Sequence, residues 1–87
     1  MMDDEIIELL RTSARESTAV AVAAVLDQIV PGGLTQGSMI AYFKRAFPEI
    51  PMRTLLDAGG WHRVSAGGLS DADFDALLRP WLPSAQK

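Results

Sequence analysis

The spacing of apolar and polar residues predicts five short helices in this chain. In successive segments, apolar positions recur three or four residues apart, which places them on one face of a helix and leaves polar residues opposite. Glycine and proline residues that favour turns separate these segments. The predicted helices cover residues 4–15, 18–29, 36–47, 51–58 and 71–79.

The second predicted helix is expected to be the most buried element. Its first eight residues, from Ala19 to Leu26, contain no polar side chain, and four of them are alanine. Alanine favours helix over strand and lets neighbouring helices pack closely. We therefore predict an all-α fold, a compact bundle of about five short helices, with a single domain over residues 1–83 and a loose C-terminal tail over residues 84–87.

A block of two glycines, a leucine and a hydroxyl residue occurs twice, starting at Gly32 and at Gly67. In each copy the hydroxyl residue, Thr35 or Ser70, is suited to accept from the first unpaired N–H groups of a helix. Asp73 stands where the acid of a capping box would be. We interpret the block as one capping device used twice, because the upstream segments do not match and solenoids need about three copies.

The leucine before each cap predicts a hydrophobic staple. Leu34 would pack against Met39, and Leu69 against Phe74, which is the fourth helical residue in each case. A staple of this kind fixes the angle at which the chain joins the helix. Two helix starts therefore follow from local chemistry.

The predicted fourth helix begins at Pro51, whose fixed backbone angle suits a first helical turn. We expect Met52, Leu55 and Leu56 to face the core. The segment 61–65 that follows alternates in polarity, and it is too short for its pattern to separate strand from loop.

The composition is that of a small folded domain. Of the 87 residues, 48% are hydrophobic and 22% are charged, and there is no cysteine, which excludes disulfides and thiolate metal sites. The N-terminus lacks the basic start of a secretory signal, and the longest apolar run is far shorter than the roughly 20 residues that span a bilayer. We expect a cytoplasmic protein that does not bind a membrane.

Few residues could carry catalysis. His62 is the single histidine, and between Trp61 and Arg63 it is more typical of a surface residue than of a general base. The glycine-rich stretches lack the lysine of a phosphate-binding loop. We therefore expect no enzymatic activity, no catalytic residue, no cofactor, no metal and no small-molecule substrate.

Three alternating acids, Asp71, Asp73 and Asp75, resemble the opening of a calcium-binding EF-hand loop. The rest of that motif is missing, because Ala76 and Leu82 stand where the loop needs a glycine and a bidentate glutamate. We interpret the acids as residues that favour the start of a helix.

Charge is segregated along a chain whose net charge is −3. Residues 1–16 carry five acids and two arginines, a net −3, and residues 44–63 carry four basic residues and two acids, a net +2. Opposite charges of this kind steer and register protein contacts. We predict a non-enzymatic interaction or adaptor module that binds a protein partner or itself. The candidate partner-binding residues are Lys44, Arg45, Arg53, Arg63, Trp61, Glu5 and Glu8.

Two alternatives stay open. Residues 36–58 could form a helix-turn-helix with 61–65 as a short wing, in which case the basic residues would contact nucleic acid. The acidic net charge weighs against that function. The other alternative is a homodimer with a structural role. In size and helix count the chain is similar to the small death-like adaptor modules, and this likeness assigns no residue.

Overall fold

The computed structural model describes residues 2–82, which fold into five α-helices. A 3-10 turn over Arg79–Trp81 follows the last of them. The predicted all-α bundle is confirmed, and each predicted helix end lies within one residue of the observed one. The predicted tail at 84–87 lies outside the described residues. The helices are α1 (Asp3–Ala14), α2 (Ala19–Ile29), α3 (Gln36–Ala46), α4 (Met52–Ala58) and α5 (Asp71–Leu78).

The main helix contacts close into a ring. In the order α1, α2, α5, α4 and α3, each helix packs against the next, and α3 packs against α1. The core inside this ring includes Leu26, Phe43 and Phe74, all completely buried. In this order α1 and α4 are not neighbours, so their outer faces belong to different sides of the bundle.

Of the five helices, α2 has the smallest share of exposed residues, which agrees with its predicted burial. Its exposed residues are Ala24, Asp27 and Gln28, and the rest are buried or half-buried. The hydroxyl of Thr18 accepts a hydrogen bond from the N–H of Ala21 at 3.2 Å and caps the start of the helix.

Thr35 and Ser70 cap α3 and α5, with one difference from prediction. Thr35 Oγ1 accepts from Ser38 N at 3.0 Å, and Ser38 Oγ accepts from Thr35 N at 2.8 Å, which completes a capping box. Ser70 Oγ accepts from Asp73 N at 3.1 Å. Within residues 2–82 the exposed Asp73 carboxylate makes no return bond to Ser70, so the capping box predicted there is wrong.

The backbone conformation explains the second glycine of the repeated block. Gly33 and Gly68 have φ angles of 80° and 82°, a left-handed conformation that glycine adopts without a steric penalty. Each turns the chain so that the next residue, Leu34 or Leu69, packs partly buried against the core. That core also buries the predicted staple partners.

Of the three residues of the short α4 that were expected to face the core, Leu55 does so and Met52 and Leu56 do not. Leu55 and Ala58 are completely buried, whereas Met52 is 45% exposed and Leu56 is 60% exposed. Because Leu55 and Ala58 lie three positions apart, they form one side of the helix and pack between α3 and α5. Met52 and Leu56, one turn apart, lie on the outer side, and their predicted inward orientation is wrong.

The connection from α4 to α5 is a closed loop. Its ends are joined by an isolated parallel bridge between Trp61 and Leu69, in which His62 N donates to Leu69 O at 2.9 Å and Leu69 N donates to Gly60 O at 3.0 Å. Gly67 lies so close to Gly60 that a Cβ on Gly67 would stand 2.5 Å from the Gly60 carbonyl oxygen. The alternating segment therefore forms a bridge and turns, and no strand.

Candidate interaction surface

Two of the predicted partner-binding residues, Lys44 and Arg45, bind to their own chain. Lys44 Nζ donates to the carbonyl oxygens of Pro48 at 3.0 Å and Ile50 at 2.7 Å, which satisfies backbone acceptors beyond the end of α3. Arg45 Nη1 pairs with Asp3 Oδ2 at 3.0 Å. Both basic residues therefore help to hold the fold.

Asp3 joins the acidic start of α1 to the basic end of α3. Its Oδ1 accepts from the Tyr42 hydroxyl at 2.8 Å, and its Oδ2 pairs with Arg45. The bond from Tyr42 first, and that from Arg45 second, hold the pKa of Asp3 below its ordinary value. The same bond raises the pKa of Tyr42. The two oppositely charged segments thus meet partly within one chain.

Glu8 also has a partner on its own helix. Its Oε1 lies 3.1 Å from Arg11 Nη1 in an exposed ion pair. Arg11 in turn donates from Nε to the carbonyl oxygen of Ala46 at 2.9 Å, at the end of α3. The charge of Glu8 is therefore balanced by a residue that fastens α1 to α3.

Trp61, His62 and Arg63 converge on the carboxylate of Asp71. Asp71 Oδ1 accepts from Trp61 Nε1 at 2.9 Å and lies 2.9 Å from His62 Nε2, and Asp71 Oδ2 pairs with Arg63 Nη2 at 2.6 Å. The bond from Trp61 contributes most to lowering the pKa of Asp71, and Arg63 and His62 add to it against the opposing effect of burial. This cluster holds the closed loop against the first residue of α5.

Trp61 belongs to the core. Its side chain is 1% exposed, and its ring stacks on Phe74 with centroids 3.9 Å apart and planes 11° apart. The guanidinium of Arg63 lies 5.3 Å from the Trp61 ring centroid. The prediction that Trp61 binds a partner is therefore wrong, because its ring is covered by Phe74 and its N–H is bonded to Asp71.

The three alternating acids have three different environments. Asp71 anchors the loop, the side chain of Asp73 is exposed, and Asp75 is buried at 7% exposure. In the part of the chain that the structure describes, no group of three or more histidine, cysteine or acidic residues is placed to hold a metal ion. Nor is any helix there long and apolar enough to cross a membrane.

One predicted basic residue, Arg53, makes no hydrogen bond or ion pair within residues 2–82. It lies on the outer side of α4 with the exposed side chains of Met52 and Leu56, and we call these three residues the α4 face. The exposed Asp57 follows one turn after Arg53. The sequence pattern missed this surface because Ala58, which helps to set the buried side of α4, is a weak hydrophobic signal.

A second exposed surface lies at the start of α1. Met2, the N-cap residue just before the helix, is 71% exposed, Leu9 on the helix is 42% exposed, and Glu5 lies between them in the chain. Glu5 has no ion pair with another described residue. We call Met2, Glu5 and Leu9 the α1 face. The exposed large hydrophobic residues between positions 2 and 82 all belong to these two faces.

No protein-family model matches this chain, and no curated protein or solved structure matches it. The likeness to death-like adaptor modules in size and helix count therefore has no support from a solved fold. What the surface can do follows from its own residues.

Proposed function

We propose that this protein is a non-enzymatic interaction module that binds a protein partner through the α4 face. The observation that carries the proposal is the exposure of Met52 and Leu56 beside Arg53, which has no partner in the described chain. A large apolar side chain gains about 1.5–3 kcal/mol when a contact removes it fully from water. Methionine and arginine are also enriched in the cores of protein interfaces.

The α4 face stands on a helix that is fixed at both ends. Before the helix, Lys44 Nζ donates to Ile50 O at 2.7 Å, and after it, Gln36 Nε2 donates to Gly59 O at 2.9 Å. The opposite side of α4 is anchored in the core by Leu55. A partner would therefore meet a surface that loses little conformational freedom on binding, which favours affinity.

The bonds made by the other basic residues favour a protein partner over nucleic acid. Binding to a phosphate backbone draws its strength from several cationic side chains at once. Lys44 donates to backbone carbonyls, and Arg45 and Arg63 pair with carboxylates of the chain. Only Arg53 of the basic set lacks such a bond among residues 2–82, and its neighbours on the helix surface are the apolar Met52 and Leu56 and the acidic Asp57.

Affinity capture with matched baits tests the proposal. The wild-type protein, Leu56→Glu and the control Ala24→Glu would each be coupled to beads and exposed to a lysate of the source cells. Ala24 is exposed on α2, which is not a neighbour of α4 in the ring of main contacts. We expect the specific partner to be lost at least about tenfold with Leu56→Glu, a loss of roughly 1.4 kcal/mol, and to be retained by the control.

Equal capture by wild type and Leu56→Glu would contradict a role for the α4 face. Each bait must show the wild-type circular dichroism spectrum, so that loss of binding is not loss of folding. Turnover of any substrate by the purified protein would contradict the non-enzymatic part of the proposal.

A further inference from the structure

The α1 face and the α4 face have matching compositions and opposite charges. Each holds two exposed large hydrophobic residues and one charged residue with no ion pair among the described residues. On α1 the charged residue is Glu5, and on α4 it is Arg53. A carboxylate and a guanidinium can form a bidentate pair, which adds geometric specificity to an apolar contact.

The two faces cannot cover each other within one molecule of this shape. They lie on helices that are not neighbours in the ring of main contacts, and all four hydrophobic residues remain between 42% and 71% exposed. Two copies of the chain can bring them together. Burial of both hydrophobic pairs would then surround a new ion pair between Glu5 and Arg53.

We propose that the α4 face of one copy docks on the α1 face of a second copy. The inference rests on the proposed function, because it names the partner of the α4 face as the chain itself. Arg53 is the basic residue of the α4 face, and Asp57 lies one turn beyond it. The pairing of Arg53 with Glu5 therefore sets the register of the contact between the two copies.

This contact is heterologous, since it joins two different surfaces. A dimer joined by one such contact keeps one uncovered α1 face and one uncovered α4 face, so association continues into longer assemblies unless the copies close into a ring. The faces are small, and contacts well below about 1,200 Å² belong to weak and transient complexes. We expect association in the range of about 0.1–1 mM protein at low salt.

Sedimentation velocity of two charge-reversed variants, alone and mixed, tests the docking. Glu5→Arg places like charges opposite each other at every contact, and so does Arg53→Glu, so each variant alone should remain monomeric where wild type associates. In an equal mixture every contact between unlike variants again pairs opposite charges. Because each face finds compatible partners at half of the total concentration, the mixture should associate at about twice the total concentration that wild type needs. The proteins carry no N-terminal tag, because Met2 belongs to the α1 face.

Two control variants match the changes in net charge. Asp73→Arg alters the charge as Glu5→Arg does, and Arg15→Glu alters it as Arg53→Glu does, at exposed positions outside both faces. Both controls should associate like wild type. Circular dichroism confirms that all four variants are folded.

The outcomes separate this inference from the proposed function. A wild-type monomer at about 1 mM, or a mixture that stays monomeric, overturns the head-to-tail docking. If the wild-type protein is a monomer and Leu56→Glu still abolishes capture of a partner, the proposed function stands and the partner is a different protein. Failure of both experiments overturns both.

Discussion

The Asp75 carboxylate on α5 accepts a 2.9 Å hydrogen bond from the backbone N–H of Ala19, the first residue of α2. This N–H is one of the donors that the start of a helix leaves without an intrahelical partner. The neighbouring Thr18 caps Ala21, so the start of α2 is completed by one adjacent residue and by one residue from a distant segment. Because Asp75 is buried and also pairs with Arg79, it ties α5 to α2.

Replacement of Asp75 by alanine is expected to lower the free energy of unfolding by about 1–3 kcal/mol, because the buried N–H of Ala19 loses its acceptor. Urea denaturation monitored by circular dichroism measures the change. Asp73→Ala is the matched control, since the Asp73 side chain is exposed two positions away and should have little effect. Equal destabilisation by both variants would show that the contact with Ala19 does not matter.

The Asp71 carboxylate should make the stability of the folded protein depend on pH in the acid range. Donors from Trp61 first, then Arg63 and His62, hold its pKa below the ordinary aspartate value of 3.8 in the folded protein. A carboxylate with a lower pKa in the folded state stabilises the fold above its unfolded pKa, and that contribution is lost as the pH falls through the folded pKa. The contribution is therefore complete near neutral pH and disappears below 3.8.

We expect Asp71→Asn to melt at a lower temperature than wild type near neutral pH, and the two melting curves to converge as the pH falls from about 5 to about 2. Thermal melts at a series of pH values provide the test. Asp73→Asn should follow the wild-type pH dependence. A constant difference between Asp71→Asn and wild type across this range would contradict the role of the charged carboxylate.

Two glycines should respond to alanine in opposite directions. At Gly67 a Cβ would stand 2.5 Å from the carbonyl oxygen of Gly60, and backbone on both sides would have to move, so Gly67→Ala should destabilise the closed loop. Gly37 lies in α3, where the nearest atom to an added Cβ is Thr35 Oγ1 at 4.0 Å. Gly37→Ala should stabilise the protein by about 0.5–1 kcal/mol, because alanine favours helix.

Differential scanning calorimetry of the two glycine variants measures both effects. The melting temperature should fall for Gly67→Ala and rise for Gly37→Ala. A rise for both variants would mean that the loop adjusts to the added methyl group without strain.

The helix ends could be predicted from the sequence because their causes are local. Thr35 and Ser70 cap the helices that follow them, and the glycine before each leucine supplies the turn. The side of α4 that faces the core has no such local cause. It depends on how α3 and α5 hold Leu55 and Ala58, which only the assembled bundle determines.

The contacts of the charged residues inside the chain are harder to predict from the sequence for the same reason. The count of charges shows that residues 1–16 and 44–63 are opposite, but it does not show which of their residues pair inside the chain. Asp3 meets Arg45 across 42 positions, and Ala19 meets Asp75 across 56, so no spacing rule links them. The charge pattern singles out Arg53, whereas the apolar pattern predicts that its neighbours Met52 and Leu56 face the core.

Adjacent leucines on α4 provide a direct test of which side is available to a partner. Leu55 is completely buried, and Leu55→Ala should lower the free energy of unfolding by about 2–5 kcal/mol through loss of packing and formation of a cavity. Leu56 is 60% exposed, and Leu56→Ala should change stability by no more than about 0.5 kcal/mol. Urea denaturation of both variants measures the difference.

If Leu56→Ala is as costly as Leu55→Ala, the Leu56 side chain belongs to the core and the α4 face is not a binding surface. If it is neutral for folding while Leu56→Glu abolishes partner capture, the exposed leucine serves binding and not stability.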